Sequence, residues 1–293
     1  MPADPLGVRS ACRRVLEEAL EVRLGPLEPA VEALRERPVP AWDARRHYEG
    51  ERIVEYILVL DTLNFSFWGS GRGYWQLAEA LRDAFVAGDP LWEPERLLAL
   101  DEPRLSAIIG ELPLPDRRVA ALHELAELAL READGELSRL VPPSAPELAG
   151  FLSRNLESFQ DVSVYGEMEV PFLKRAQIAA ADLWGAHAID FPDVDQLTCF
   201  ADYKLPQALR HLGALEYSEH LARKVDDWVE LEAGGPEEVE IRAATVVAVE
   251  ELRDRLGDAG RQLPAVQVDW LLWDYSQGLF PVRPHHRTRT VFY

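Results

Sequence analysis

Apolar residues recur along most of the chain at three- and four-residue spacings. In residues 116–134, DRRVAALHELAELALREAD, Val119, Leu122, Leu125, Ala126 and Ala129 share a face while Glu and Arg occupy the remainder. This is the pattern of a half-buried helix, and Asp116 is the N-cap the sequence offers for it. The same period predicts helices over 7–23, 51–62, 74–87, 144–153, 171–188, 204–213, 218–230, 236–256 and 265–275. Pro and Gly punctuate them in PLEP, GDP, LPLP, VPPSAP, FPD and AGGP. Period-two alternation is confined to DVSVYGEMEV at 161–170 and the terminal RTRTVFY, so a mainly α fold with a small β element is expected. No repeat at a fixed period and no long low-complexity tract interrupts the pattern. VPPSAP at 141–146 is the best internal boundary, dividing an N-terminal helical lobe, 1–143, from a C-terminal helical lobe, 144–293. Apolar helices continue on both sides without a polar linker, which predicts one compact unit with a ligand cleft between lobes.

Two of these helices carry charge where the pattern is apolar. From Ala176 to Ile189 the segment 169–189 is apolar on nearly all sides, as in a buried helix, with Pro171 suited to its first turn. Yet Lys174, Arg175 and Asp182 sit on it. Lys174, Ile178 and Asp182 fall on one face, so a pairing or a shared pocket is expected. The plain alternative is two snorkelling cations and an internal salt bridge. In EEVEIRAATVVAVEELRDRL, 237–256, Glu240 and Arg242 both begin on buried faces, against the alternative of an ordinary charged first turn.

Composition narrows the partners. The 293 residues are 47% hydrophobic and 28% charged, which suits a folded soluble protein, and the net charge of −20 repels polyanions and negative membranes. Long nucleic acids are therefore not expected as partners. A small ligand with one phosphate needs only two or three local cations. Cys12 and Cys199 lack zinc or redox spacing and read as reduced thiols. The start MPADPLGVRSACRR has no secretory pattern, and no stretch reaches the ~18 apolar residues of a membrane span, so a cytoplasmic protein is expected. No metal-ligand set, GxSxG elbow, Walker loop or GxGxxG is found.

Candidate chemistry lies in three further stretches. DTLNFSFWG, 61–69, sets an acid and an amide among rings. In DQLTCFADYKLPQALRHLGALEYSEHL, 195–221, Asp202 stands at a helix entrance, where backbone N–H groups favour its ionised form, although an ordinary cap reads the same way. PHHRTRTVFY, 284–293, gathers two His and two Arg in five positions, and its aromatic end argues for docking on the core over a frayed tail.

Together DTLNFSFW, VPFLKRAQIAAADLW, FADYKLPQALRHLGAL with EIRAA, and PHHRTRTVFY resemble the queuosine salvage protein family, the queuosine 5′-phosphate N-glycosylase/hydrolases, from about residue 40 onward. The resemblance implies a monomeric helical fold related to the DNA glycosylases. It also implies hydrolysis of queuosine 5′-monophosphate to queuine and ribose 5-phosphate, without cofactor or metal. On that reading Phe65 and Trp68, with Phe67, offer faces for the base, and Asp61 and Asn64 read its edges or the ammonium of its side chain. Asp202 stabilises an oxocarbenium-like sugar and handles the attacking water. Lys204 and Tyr203 are candidates for stabilising the departing base. Lys174, Arg175, His286, Arg287 and Arg289 form the pool from which two or three cations meet the phosphate. Glu240 meets the ligand amine or orients one of those cations. The rival readings are a DNA-glycosylase-like repair enzyme and a non-catalytic protein that binds a modified nucleobase.

Overall fold

The structure, a computed structural model, describes residues 2–293 and is mainly α, with two two-stranded antiparallel sheets among those residues. The order is α1 (Val8–Glu18), β1 (Val22–Leu24), α2 (Glu28–Leu34), α3 (Ile53–Thr62), α4 (Tyr74–Val86), α5 (Pro94–Leu98), α6 (Glu102–Ile109), α7 (Pro115–Glu132) and α8 (Ala145–Asn155). There follow β2 (Val162–Tyr165), β3 (Met168–Pro171), α9 (Lys174–Gly185), α10 (Lys204–His211), β4 (Leu215–Tyr217), α11 (Glu219–Asp226), α12 (Pro236–Asp258) and α13 (Ala265–Gln277).

The chain divides into two compact units, each assembled from separated stretches. The first takes the residues up to Pro40 with 162–174 and 193–289; the second takes 41–161, 175–192 and 290–293. The expected boundary at 141–146 lies wholly inside the second unit. Its prolines and serine are a helix start: Ser144 Oγ accepts the Glu147 N–H at 3.3 Å and Pro146 occupies the first turn of α8.

In the first unit α12 is the central element. Its hydrophobic residues are buried around nearly the whole circumference, and α1, α2, α10, α13 and the short β1–β4 ladder pack on it. Val22 to Leu24 pair with Tyr217 to Leu215, about two thirds of the chain length away in sequence. The β2–β3 hairpin occupies the alternating stretch expected to be β, and Pro171 ends β3 opposite Val162 instead of opening a helix. The terminal RTRTVFY forms no strand; Arg287 makes one isolated bridge to Glu230.

In the second unit α3 lies in the core, with every residue from Glu55 to Thr62 buried, and α4 and α7 pack on it. Asp116 is not the N-cap of α7. Leu114, with φ 56°, precedes the helix, and Pro115 takes the first position, pushing Asp116 into the first turn, where it still faces the positive end of the dipole. The aromatic terminus is anchored here: Tyr293 is buried and its carbonyl accepts the Ser66 N–H at 2.9 Å.

Candidate functional site

Asp202 lies two residues before α10, and its side chain is what starts that helix. Oδ1 accepts the N–H groups of Lys204 at 2.6 Å and Leu205 at 3.0 Å, two of the donors that a helix start leaves without a backbone partner. Both of these bonds fall on Oδ1, and the residue as a whole is half-buried. Burial raises the affinity of this carboxyl for a proton. The Lys174 charge, the Leu205 and Lys204 N–H groups and the Lys204 charge pull the other way, and burial prevails. A carboxylate of raised basicity that also feels the charge of a buried lysine is suited to accept a proton from water.

The segment before Asp202, one 3-10 turn at Val194–Gln196 followed by irregular chain, has no ladder to satisfy its backbone, so side chains from the surrounding helices do so. Arg9 of α1 donates to the carbonyls of Asp195, Gln196 and Leu197 at 3.2, 2.6 and 2.5 Å and pairs with Glu250 at 3.0 Å. Asp269 of α13 accepts the Phe200 N–H at 2.7 Å, and Arg242 of α12 donates from Nε to the Ala201 carbonyl at 2.9 Å. Each of these charged side chains is buried, and each is tied to a backbone group or an opposite charge.

The other flank of Asp202 is aromatic and basic. The Tyr203 ring lies against His285 with centroids 4.5 Å apart, and Trp228 meets His285 edge-on at 5.7 Å. The Arg287 guanidinium covers the Trp228 ring at 3.8 Å. Lys204 Nζ donates to Gln207 Oε1 at 3.3 Å, and Gln207 Nε2 in turn donates to the Arg283 carbonyl at 2.7 Å. His285 Nδ1 stands 2.7 Å from the His286 carbonyl, which can only accept, so the proton sits on Nδ1 and Nε2 is left as an acceptor. Burial pushes His285 down to about 4 and His286 to about 3, so both rings are neutral at pH 7. His286, 1% exposed, therefore brings no positive charge to a phosphate, and Arg289 is an exposed partner of Glu230 at 3.2 Å. Of the expected cation pool, Lys174 acts on Asp202 by its charge, and Arg287 ends the column of Tyr203, His285 and Trp228.

Glu240 is committed elsewhere in the first unit. Oε2 accepts the N–H groups of Leu20, Glu21 and Val22 at 3.1, 2.7 and 3.2 Å, and Oε1 accepts the Tyr165 hydroxyl at 2.8 Å. It anchors the turn into β1, which orders the chain there.

The second unit holds the remaining candidates. Phe65 is fully buried, with the guanidinium of Arg118 at 4.3 Å and that of Arg175 at 4.7 Å from its ring centroid. Arg175 donates to the carbonyls of Asp61 at 3.3 Å, Thr62 at 2.5 Å and Ser158; Arg118 donates to those of Leu63, Phe65 and Ser66. Two buried cations thus cap the carbonyl end of α3, where the dipole favours positive charge. Asn64 Nδ2 reaches Asp61 Oδ1 at 3.4 Å, and both residues are buried. Of the rings in DTLNFSFW, Trp68 alone is half-buried, so it keeps surface for a ligand that Phe65 lacks. Burial raises the Tyr74 hydroxyl, and Asp182 and then Asp61 add to that, so the far end of α9 acts on this setting while Lys174 acts on Asp202.

Sequence reasoning missed Arg118, Asp269 and His285, and saw Arg242 only as a charge on a buried face. Among the described residues no group of three or more His, Cys, Asp or Glu has metal-holding geometry, and no helix is long and apolar enough to cross a membrane. The chemistry on display is that of a carboxylate, a lysine and an aromatic flank. Residues 44–293 match the family model described as "Queuosine salvage protein". The chain is 41% identical over 320 residues to a queuosine 5′-phosphate N-glycosylase/hydrolase of Sphaerobacter thermophilus, covering 100% of this chain and 99% of that protein. Proteins of the same name from Dictyostelium discoideum and Bos taurus are 35% and 31% identical, over 83% and 96% of this chain and 79% and 92% of theirs.

Proposed function

The chain belongs to the queuosine salvage protein family, and from that premise we propose that it hydrolyses the N-glycosidic bond of queuosine 5′-phosphate, releasing queuine and ribose 5-phosphate. The observation that carries the reading is the carboxylate of Asp202, fixed through Oδ1 by two backbone N–H groups, half-buried and within reach of the Lys174 charge. As the bond from the ribose anomeric carbon to the base breaks, positive charge develops on the sugar, and a fixed carboxylate stabilises it without having to reorganise. Water adds its oxygen to that carbon, and Oδ2 takes the water proton. The raised basicity of Asp202 serves this step. The base leaves with the bonding electron pair, and a proton must reach its nitrogen. A 7-deaza base lacks the N7 where purines are often protonated, so Lys204, with Tyr203 beside it, supplies the donor at another edge.

Lys174 and Arg287 are the cations proposed for the 5′-phosphate. The protein acts as a monomer on the free nucleotide, not on polynucleotide, in line with its net charge of −20. It works in the cytoplasm, where Cys12 and Cys199, buried and without a disulfide, remain reduced, and it returns queuine for tRNA modification.

Incubating the protein with queuosine 5′-phosphate and following free queuine by mass spectrometry tests the activity. Asp202→Asn tests the mechanism: turnover should fall by about 100-fold or more while nucleotide binding persists. Wild-type turnover in that variant sinks the assignment.

A further inference from the structure

Arg242 touches two segments at once. Its Nε donates to the carbonyl of Ala201, the residue before Asp202, at 2.9 Å, and its guanidinium lies 4.0 Å from the ring centroid of Phe172, two residues before Lys174. Both contacts are buried, with Arg242 at 1% and Phe172 at 2% exposure. Glu238, one turn earlier on α12, holds the guanidinium with Oε1 at 3.4 Å and is itself fixed by the Gly234 N–H to Oε2 at 3.2 Å. Between Phe172 and Lys174 stands Leu173 with φ 52°, a left-handed conformation that a branched side chain adopts only under constraint from its surroundings. His286 is neutral at pH 7, lowered to about 3 by burial and then by His285 and Arg242, so it adds no charge of its own.

We propose that Arg242 is the positioning residue that sets Asp202 against Lys174, one buried guanidinium tying down the backbone that carries the acid and the segment that carries the cation. The inference rests on the reading of Asp202 as the group at the anomeric carbon. Arg242 itself touches no substrate. Its role follows from rigidity: α12 is buried around nearly its whole circumference, so both contacts refer to a fixed frame. A carboxylate that must meet a developing charge loses its effect when displaced by a fraction of the contact distance. Lysine in place of Arg242 keeps one donor for Ala201 but lacks the planar group that covers the Phe172 ring. Leucine in place of Phe172 removes the ring contact and spares the Ala201 bond.

The test is a set of variants assayed in single turnover with queuosine 5′-phosphate: Arg242→Met, Arg242→Lys, Phe172→Leu, and Arg242→Met combined with Asp202→Asn, each with thermal melts and nucleotide-binding titrations. Arg242→Met should lose about 100-fold in kcat, with a smaller rise in KM through Lys174, and the Lys and Leu variants should lose less in kcat. On the Asp202→Asn background Arg242→Met should add no further loss, because its effect passes through Asp202. Where Arg242→Met does not fold, the Lys and Leu variants give the same reading. Wild-type kcat in folded Arg242→Lys and Phe172→Leu overturns the inference, and so does a full additional loss on the Asp202→Asn background. Wild-type turnover in Asp202→Asn alone is a separate result that removes the underlying reading, whatever the Arg242 variants do.

Discussion

The guanidinium of Arg175 donates to the carbonyl of Thr62 at 2.5 Å, at the last residue of α3. Its other bonds go to the carbonyls of Asp61 and Ser158, and its faces lie against Phe65 and Phe159. Burial lowers its proton affinity to about 9, opposed by Asp161, Asp61 and Glu124, and it stays charged at neutral pH. A cation so engaged holds the fold together. Arg175→Met should cost about 3 kcal/mol or more, since several buried carbonyls lose their donor. The preference for 5′-nucleotide over nucleoside should be unchanged in the folded variant. Denaturant titration and paired kcat/KM measurements check both parts; lost nucleotide preference with unchanged stability would put Arg175 in the phosphate site.

Asp202 predicts the acid limb of the rate profile. The base form acts, so activity falls as the carboxylate gains its proton, and burial places that event above the ordinary carboxylate range. Lys174 and Lys204 both lower the affinity for the proton, Lys174 more strongly. Removing either positive charge should therefore move the limb of kcat to higher pH, further for Lys174→Met than for Lys204→Met. Profiles of kcat against pH at saturating nucleotide decide this, and a limb that moves down in either variant contradicts the assignment.

Glu240 accepts four hydrogen bonds, three from the backbone entering β1 and one from Tyr165. An amide in its place offers one oxygen and turns an acceptor site into a donor facing N–H or O–H groups. Glu240→Gln should destabilise the protein by about 2 kcal/mol without changing KM for the nucleotide. Chemical denaturation and steady-state kinetics are enough to check it. A raised KM at unchanged stability would return Glu240 to the ligand.

The legible parts of this molecule were those whose cause is local. Helices α7 and α12 follow from the spacing of Leu, Val and Ala, and Asp202 reads as a helix entrance from FADYKLP alone. Helices α2, α5 and α6 are short, with Pro in the first turn, and too few residues carry a period to show it. The β1–β4 ladder joins two three-residue strands far apart in sequence, so neither end signals the other. The same limit hides the partners of buried charge: Arg118 finds Leu63, Arg175 finds Ser158 and Arg9 finds Glu250 only once the chain is folded. His285 and His286 are neighbours of one type, and sequence offers no sign of which ring turns inward.

His47 predicts how stability responds to acid. Its Nδ1 stands 3.2 Å from the Asp43 carbonyl and its Nε2 2.9 Å from the Tyr74 hydroxyl, and the ring stacks on Trp42 at 3.9 Å with a 20° tilt. The carbonyl requires a proton on Nδ1, and Tyr74 donates to the bare Nε2, so the neutral ring is fully satisfied. Protonation would bury a charge in an aromatic cluster, and burial accordingly pushes the ring from 6.5 down to about 4. Between those values the unfolded chain binds a proton that the folded chain does not. The contribution is thus complete above pH 6.5 and disappears as the pH falls through 4, about 3 kcal/mol in all. His47→Gln keeps a donor and an acceptor but cannot titrate. Its stability deficit against the wild type, measured by denaturant midpoints with tryptophan fluorescence, should be largest near neutral pH and shrink steadily between pH 6.5 and 4. A deficit that stays constant across that window would mean that His47 takes up its proton equally in the folded and unfolded chains.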